Sequence, residues 1–196
     1  MILIVAAMTS EVQAIVNHTE KDHDLLITGI GKVNAAAKLS AYLSLHHVDS
    51  IINLGFAGAT LPYRIGDLVI IEEASYHDFN LTMFGYEMGQ VPGMPARFQS
   101  DINLKHMISS RIQEAHKGRL LTGDVFMTEK KTERFLVDME GAALYHVAHI
   151  YGIPIISVKV VSDVIGSEKH LESYQKFEAE KGAQVLLQVY QSIRKR

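Results

Sequence analysis

The sequence predicts one α/β domain over residues 1–196, built on a mixed, mostly parallel sheet flanked by helices. Short, continuous apolar runs recur along it, the pattern of strands buried on both faces. Stretches with helical spacing separate these runs, and strands that alternate with helices imply a parallel sheet covered on both sides. The third observation is size: 196 residues, 47% hydrophobic and 21% charged. That is enough apolar content for one sizeable core and too much for a disordered chain.

Ile2 to Ala7 opens the chain as a strand, and Ser10 to Val16 follows as a helix, with Thr9 or Ser10 available to cap it. Leu25 to Thr28 reads as a second strand, ending in Gly29-Ile30-Gly31-Lys32, and the Ala- and Leu-rich Val33 to Leu45 as a helix. Ser50 to Leu54 is a third strand that runs into Gly55-Phe56-Ala57-Gly58. Leu68 to Glu72 is a fourth, entered through the turn-like Gly66-Asp67. Tyr76 to Ser100 holds four glycines or prolines between Gly85 and Gly93. It is predicted to be a long loop, and long loops in compact domains are usually functional. Ile102 to His116 follows as a helix, Arg119 to Thr122 as an extended segment, and Met139 to Tyr151 as a helix. Ile153 to Ser162 is an apolar strand and Glu172 to Ile193 a closing helix. There is no internal repeat, low-complexity tract or linker.

Composition excludes several functions. Nineteen Lys and Arg against twenty-two Asp and Glu give a net charge of −3, which offers no concentrated positive surface for nucleic acid. The densest basic run, Arg194-Lys195-Arg196, reads as a solvated helix end favoured by the dipole. The chain has no cysteine, so disulfides, thiolate metal sites and cysteine nucleophiles are excluded. Met1 to Met8 lacks a basic leader and meets Glu11 too soon for a signal peptide. No stretch reaches the roughly 18 to 20 apolar residues needed to cross a bilayer. A cytoplasmic protein without membrane or nucleic-acid partners is the expectation.

Three features bear on chemistry. Gly29-Ile30-Gly31-Lys32 opens a helix, where backbone N–H groups can hold an anion. Its spacing fits neither a P-loop nor G-x-G-x-x-G, and a tight turn with close helix packing is the favoured reading. His146 and His149 lie three apart on a predicted helix, but no third ligand is placed by sequence, so a metal site is not expected. The carboxylates say more. Glu11 falls just after the first strand, Glu140 at a helix start and Asp163 just past the last strand. Ligands of open α/β sheets bind at the carboxyl ends of strands. Each acid alone reads as a cap or a surface charge; together they suggest acid/base chemistry.

Several segments look familiar: Ala7-Met8-Thr9-Ser10-Glu11-Val12, Thr28 to Ala36, Phe84-Gly85-Tyr86-Glu87-Met88-Gly89-Gln90-Val91-Pro92-Gly93-Met94-Pro95, Asp138-Met139-Glu140-Gly141-Ala142-Ala143 and Val161-Ser162-Asp163-Val164. In this order they resemble the methylthioadenosine/S-adenosylhomocysteine nucleosidases. The resemblance implies a nucleoside phosphorylase-like fold and a homodimer without cofactor or metal. It also implies hydrolysis of the N-glycosidic bond of a 5′-modified adenosine. By the same resemblance Asp163 is the acid at adenine N7 and Glu11 the base that activates water. Glu140 binds the ribose hydroxyls, with Met139 beneath the sugar. Phe126 stacks on the base and the Met127 backbone reads its edge. Met8, Leu81, Phe84 and Pro92 line the pocket for the 5′ group, Pro92 coming from a second subunit. The chemistry is coherent, because a proton donated to the departing purine stabilises the transition state more than the ground state. Related phosphorylases carry a phosphate-binding segment where Ala-Ala-Met-Thr-Ser-Glu stands here, and an acid there repels phosphate.

Three positions depart from the family pattern. Phe56 replaces a small serine beside the ribose and water. Lys159 stands where arginine is usual near Glu140, keeping the charge but not the bidentate fork. The stretch from Phe126 to Asp138 is short. These departures point to a bulkier 5′ group, such as that of aminodeoxyfutalosine in menaquinone biosynthesis, while the middle loop favours the nucleosides of methionine salvage. A futalosine hydrolase ranks lower, since those usually carry Asn where Asp163 stands. The rivals are a silent nucleoside-binding protein and a phosphorylase.

Overall fold

Strand β1 (Ile2–Ala6) sends alternate side chains into two separate cores, and this fixes the layers of the molecule. Leu3 and Val5 join one core, Ile4 and Ala6 the other. The computed structural model describes residues 1–16, 23–167 and 170–194; Lys195 and Arg196 of the basic run lie outside them. A short helix α1 (Thr9–Val12) follows β1, then β2 (His23–Ile27), α2 (Lys32–Leu45), β3 (Ser50–Ala59) and β4 (Leu68–Tyr76). Next come β5 (Phe98–Gln99), α3 (Ile102–Arg111), β6 (His116–Thr122), β7 (Leu136–Asp138), α4 (Gly141–Tyr151) and β8 (Ile155–Val164). The chain closes with α5 (His170–Phe177), a π turn (Glu178–Gly182) and α6 (Ala183–Arg194). Helices α2 and α4 cover one face through Ala35, Leu39, Leu144 and Ala148. Helices α1, α3 and α6 cover the other through Val12, Ile108, Leu186 and Tyr190.

Among the described residues eight strands run β2-β1-β3-β7-β6-β4-β5, with β8 bridging β3 and β4. The pairs β1·β2, β1·β3, β3·β8, β4·β6 and β6·β7 are parallel; β3·β7, β4·β5 and β4·β8 are antiparallel. The sheet is therefore mostly parallel, as the alternation predicts. It is not open, however: β3, β8, β4, β6 and β7 pair in a closed ring.

Several boundaries differ from the sequence reading. Gly55 to Gly58 do not leave the third strand but continue it, because β8 stays paired with β3 as far as Ala59 and β7 joins at Gly58 and Ala59. β4 likewise runs on to Tyr76, paired with β6. β7 has only three residues, too short for an alternation to show. The middle segment is a loop with a 3-10 turn at Thr82–Phe84 and the short β5 at its end. α1 is not capped by Thr9 or Ser10; the Ser10 hydroxyl instead donates to Glu178 at 2.8 Å.

Candidate active site

β1, β3 and β8 end at one cavity of about 300 Å³. Glu11, the third residue of α1, turns back over the end of β1. One carboxylate oxygen accepts the backbone N–H groups of Ala7 and Met8 at 3.0 and 2.9 Å, and the other accepts Phe56 N–H at 2.9 Å. Three fixed amides thus orient a carboxylate that is 3% exposed. The fit requires glycine at 55, since a Cβ there would stand 2.7 Å from Glu11 Oε1 and 3.3 Å from Lys159 Nζ.

Asp163 enters from β8 through a bulge. Ala57 pairs with Val161 and Gly58 with Asp163, so Ser162 is the extra residue. A bulge re-aims side chains, and here both Ser162 and Asp163 border the cavity. The Ser162 hydroxyl donates to Asp163 Oδ1 at 2.5 Å, and Asp163 is buried.

Glu140 sits just before α4 and accepts Gly31 N–H at 2.8 Å. Asp124 accepts Lys32 N–H at 2.9 Å. The amides that open α2 therefore do hold anions, and the anions are the protein's own carboxylates. Lys159 does not reach Glu140 directly. Its ammonium bonds to Asp138 at 2.9 Å, and both are buried. Asp138 also accepts the Thr122 hydroxyl at 2.6 Å and Gly141 N–H at 3.0 Å, which ties β6, β7 and α4 to β8.

Three carboxylates thus crowd one buried ammonium, and for Glu11 and Glu140 burial disfavours the charged form. Glu140 is pushed up to about 7, first by burial and then by Asp138, against the Gly31 amide and Lys159. Burial also raises Glu11, opposed by Lys159 and its three amides. Burial works against the Lys159 charge, yet Asp138, Glu11 and Glu140 outweigh it and hold the ammonium up.

The cavity joins Met8, Glu11, Phe56, Met139, Glu140 and Asp163, and its far wall is made by Phe126 and Met127. Leu81, Phe84 and Pro92 lie outside it; Phe84 and Pro92 are exposed on the middle loop. Asp138 and Tyr174 are among the pocket residues that the sequence reading did not single out. Asp138 was visible only as the neighbour of Met139 and Glu140. Tyr174, one of two aromatics on the otherwise polar α5, carried no signal at all. Tyr76 hydrogen-bonds His146 at 3.1 Å, and Phe98 lies against the rings of both His146 and His149. Among the described residues no cluster of three metal-ligating side chains occurs, and no helix is long and apolar enough to cross a membrane.

A model of the phosphorylase superfamily matches residues 23–193. The chain belongs to the phosphorylase superfamily. A 5′-methylthioadenosine/S-adenosylhomocysteine nucleosidase of Geobacillus kaustophilus is 39% identical over 168 residues, covering 78% of this chain and 71% of that protein. A protein of the same name from Chromohalobacter salexigens is 34% identical over an aligned 210 residues, 90% of this chain and 89% of its own. The Streptococcus pneumoniae nucleosidase, solved with a transition-state inhibitor, has a TM-score of 0.89 at 28% identity, covering 98% and 97% of the two chains. Within the superfamily this member stands with the nucleosidases that its motifs resemble.

Proposed function

We propose that the protein hydrolyses the N-glycosidic bond of 5′-modified adenosines, methylthioadenosine and S-adenosylhomocysteine first among them, and releases adenine. One observation carries this: three buried carboxylates from separate elements, Glu11, Glu140 and Asp163, meet at a single apolar cavity with an aromatic wall. The nucleosidase names of the relatives agree with it.

As the bond breaks, the ribose gains positive charge and the purine negative charge. Asp163 is the group that protonates or hydrogen-bonds N7, and the Ser162 hydroxyl fixes the direction of its side chain. Glu11, held rigid by three amides, takes a proton from the attacking water and gives it a fixed approach. Glu140 accepts the ribose hydroxyls with the oxygen that Gly31 does not hold. Phe126 stacks on the base and Met8 faces the 5′ group. Water rather than phosphate is the nucleophile, because an acid at Glu11 in the cavity lining repels an incoming phosphate.

The working form is a homodimer in which the middle loop of one copy closes the 5′ end of the other's cavity. Met83, Phe84 and Met88 are 86%, 68% and 52% exposed on that loop. Exposed Ile30, Val33 and Val125 flank the ion cluster of Lys32, Asp78 and Asp124 beside the cavity mouth. Apolar groups this exposed mark an interaction surface, and Leu81, Phe84 and Pro92 serve the pocket only from a partner.

The test is base release in phosphate-free buffer, with methylthioadenosine and aminodeoxyfutalosine side by side. Adenine is expected without phosphate, with the higher kcat/KM on methylthioadenosine. Asp163→Asn and Glu11→Gln should each lower kcat by about 10²-fold or more. A strict phosphate requirement would make the protein a phosphorylase, and tight binding without release would make it a silent receptor. Preference for aminodeoxyfutalosine would move the substrate assignment.

A further inference from the structure

The closing helix departs from α geometry at Glu178–Gly182, the π turn between α5 and α6. Such turns are rare and concentrate at functional sites. This one lies against Phe56. A Cβ on Gly182 would stand 2.2 Å from Phe56 Cζ and within 2.8 and 2.9 Å of its two Cε atoms. No side chain fits there, so a phenylalanine at 56 requires a glycine at 182. Just before the turn, Phe177 meets the same ring edge-on, with centroids 5.5 Å apart. One buried ring is gripped from both sides of the turn.

Both ends of this contact lead into the site. The Phe56 amide holds Glu11, and its ring borders the cavity. Tyr174 precedes Phe177 by three residues, so the two share a face of α5. Tyr174 lines the cavity, meets Phe126 edge-on at 6.3 Å, and directs its hydroxyl to the Met8 sulfur at 3.9 Å. Glu178, the first residue of the π turn, accepts the Ser10 hydroxyl at 2.8 Å. The wall that carries Tyr174 is thus docked on Phe56 by packing and on the start of α1 by two contacts, Tyr174 to Met8 and Glu178 to Ser10.

We propose that Phe56 is a positioning residue: by filling the space left open at Gly182 it fixes where α5 holds Tyr174 between Met8 and Phe126, and so sets the affinity of the pocket for its nucleoside. This rests on the nucleosidase reading and deepens it. A methyl group at 182 pushes the turn off the ring, and a smaller residue at 56 lets the turn settle inward. Either change moves Tyr174 and leaves Asp163 on β8 in place. Affinity is therefore expected to suffer more than the chemical step.

The test is a set of variants assayed for adenine release from methylthioadenosine. Gly182→Ala should raise KM by about tenfold and change kcat by less than about threefold, the split expected when only binding is lost. Adding Phe56→Leu should recover most of that loss, because the shorter side chain clears the new methyl. Tyr174→Ala should raise KM similarly, and Gly182→Ala on top of it should add little. An unchanged KM in Gly182→Ala, a loss that persists in the Phe56→Leu double variant, or effects that add fully to Tyr174→Ala would each overturn the proposal. Should Gly182→Ala not fold, Phe56→Ala combined with Tyr174→Ala carries the same cycle, with the same non-additivity expected. Absence of turnover in the parent protein would count against the nucleosidase reading alone. The cycle is then read as Kd for methylthioadenosine by calorimetry.

Discussion

Glu140 shows how one buried residue couples stability, binding and pH. Its carboxyl is pushed up to about 7, by burial first and by Asp138 second, so the folded protein holds a proton that the unfolded chain gives up near pH 4.5. A raised carboxyl pKa contributes stability that is fully present below the unfolded value and fades as pH rises through the folded one. Stability should therefore fall from about pH 5 to about pH 7.5, and Glu140→Gln, which cannot titrate, should flatten much of that slope. Denaturant melts of both proteins at half-unit pH steps measure this; parallel curves would refute it. Glu11 is raised as well and has the same sign, so a residual slope is expected in the variant. On the proposed reading Glu140 accepts the ribose hydroxyls in its ionised form, so kcat/KM should rise as pH climbs through the same range. Loss of stability and gain of binding then share one proton.

At the scale of elements, the site is made where regular pairing is interrupted. β8 delivers Asp163 through the bulge at Ser162, and β7 delivers Asp138 where β3 takes it as an antiparallel partner. Thr122 at the end of β6 links these parts: its hydroxyl donates to Asp138 at 2.6 Å and accepts Ala142 N–H from α4 at 2.8 Å. Thr122→Val keeps the shape and removes both bonds, leaving a buried amide and a weakened carboxylate. A loss of about 1–3 kcal/mol follows from stranding such groups, seen as a lower Tm, together with a rise in KM as Met139 and Glu140 lose their anchor. A variant as stable as the parent would show that the network is dispensable. The sequence made the strands and helices around this network legible, because runs such as Leu3 to Ala6 and Ile155 to Val161 are apolar enough to declare themselves. It made Glu11, Glu140 and Asp163 legible as acids at element ends. The bulge, the ring closure and the Asp138–Lys159 pair were not legible, since each depends on which strand lies beside which. Tyr174 was hidden for the same reason: its place follows from a π turn that no periodicity announces.

For the whole molecule, the question is whether one chain makes a complete pocket. Its cavity of about 300 Å³ lies at the lower limit for small-molecule sites, roughly 300–1,000 Å³. The three residues expected at its 5′ end are displayed on the middle loop instead. Glycines with positive φ at 85, 89 and 93 turn that loop sharply, and Gly89 N–H bonds back to the Phe79 carbonyl at 2.8 Å. The loop is thus built rigidly and presents Met83 and Phe84 outward, an arrangement costly in water unless another surface covers it. In the proposed homodimer a second copy supplies what the pocket lacks, and two-fold symmetry completes both sites at once. Phe84→Asp places a charge in that interface without touching Glu11, Glu140 or Asp163. Sedimentation should then show monomers where the parent sediments as a dimer. Adenine release from methylthioadenosine should fall by about tenfold or more in kcat/KM, since an apolar side chain buried against a ligand contributes about 1.5–3 kcal/mol. The parent should lose specific activity on dilution below its dimer dissociation constant, and recover it on concentration. A parent protein that is monomeric and fully active at assay concentration would exclude the shared pocket and require the 5′ group to be bound within one chain.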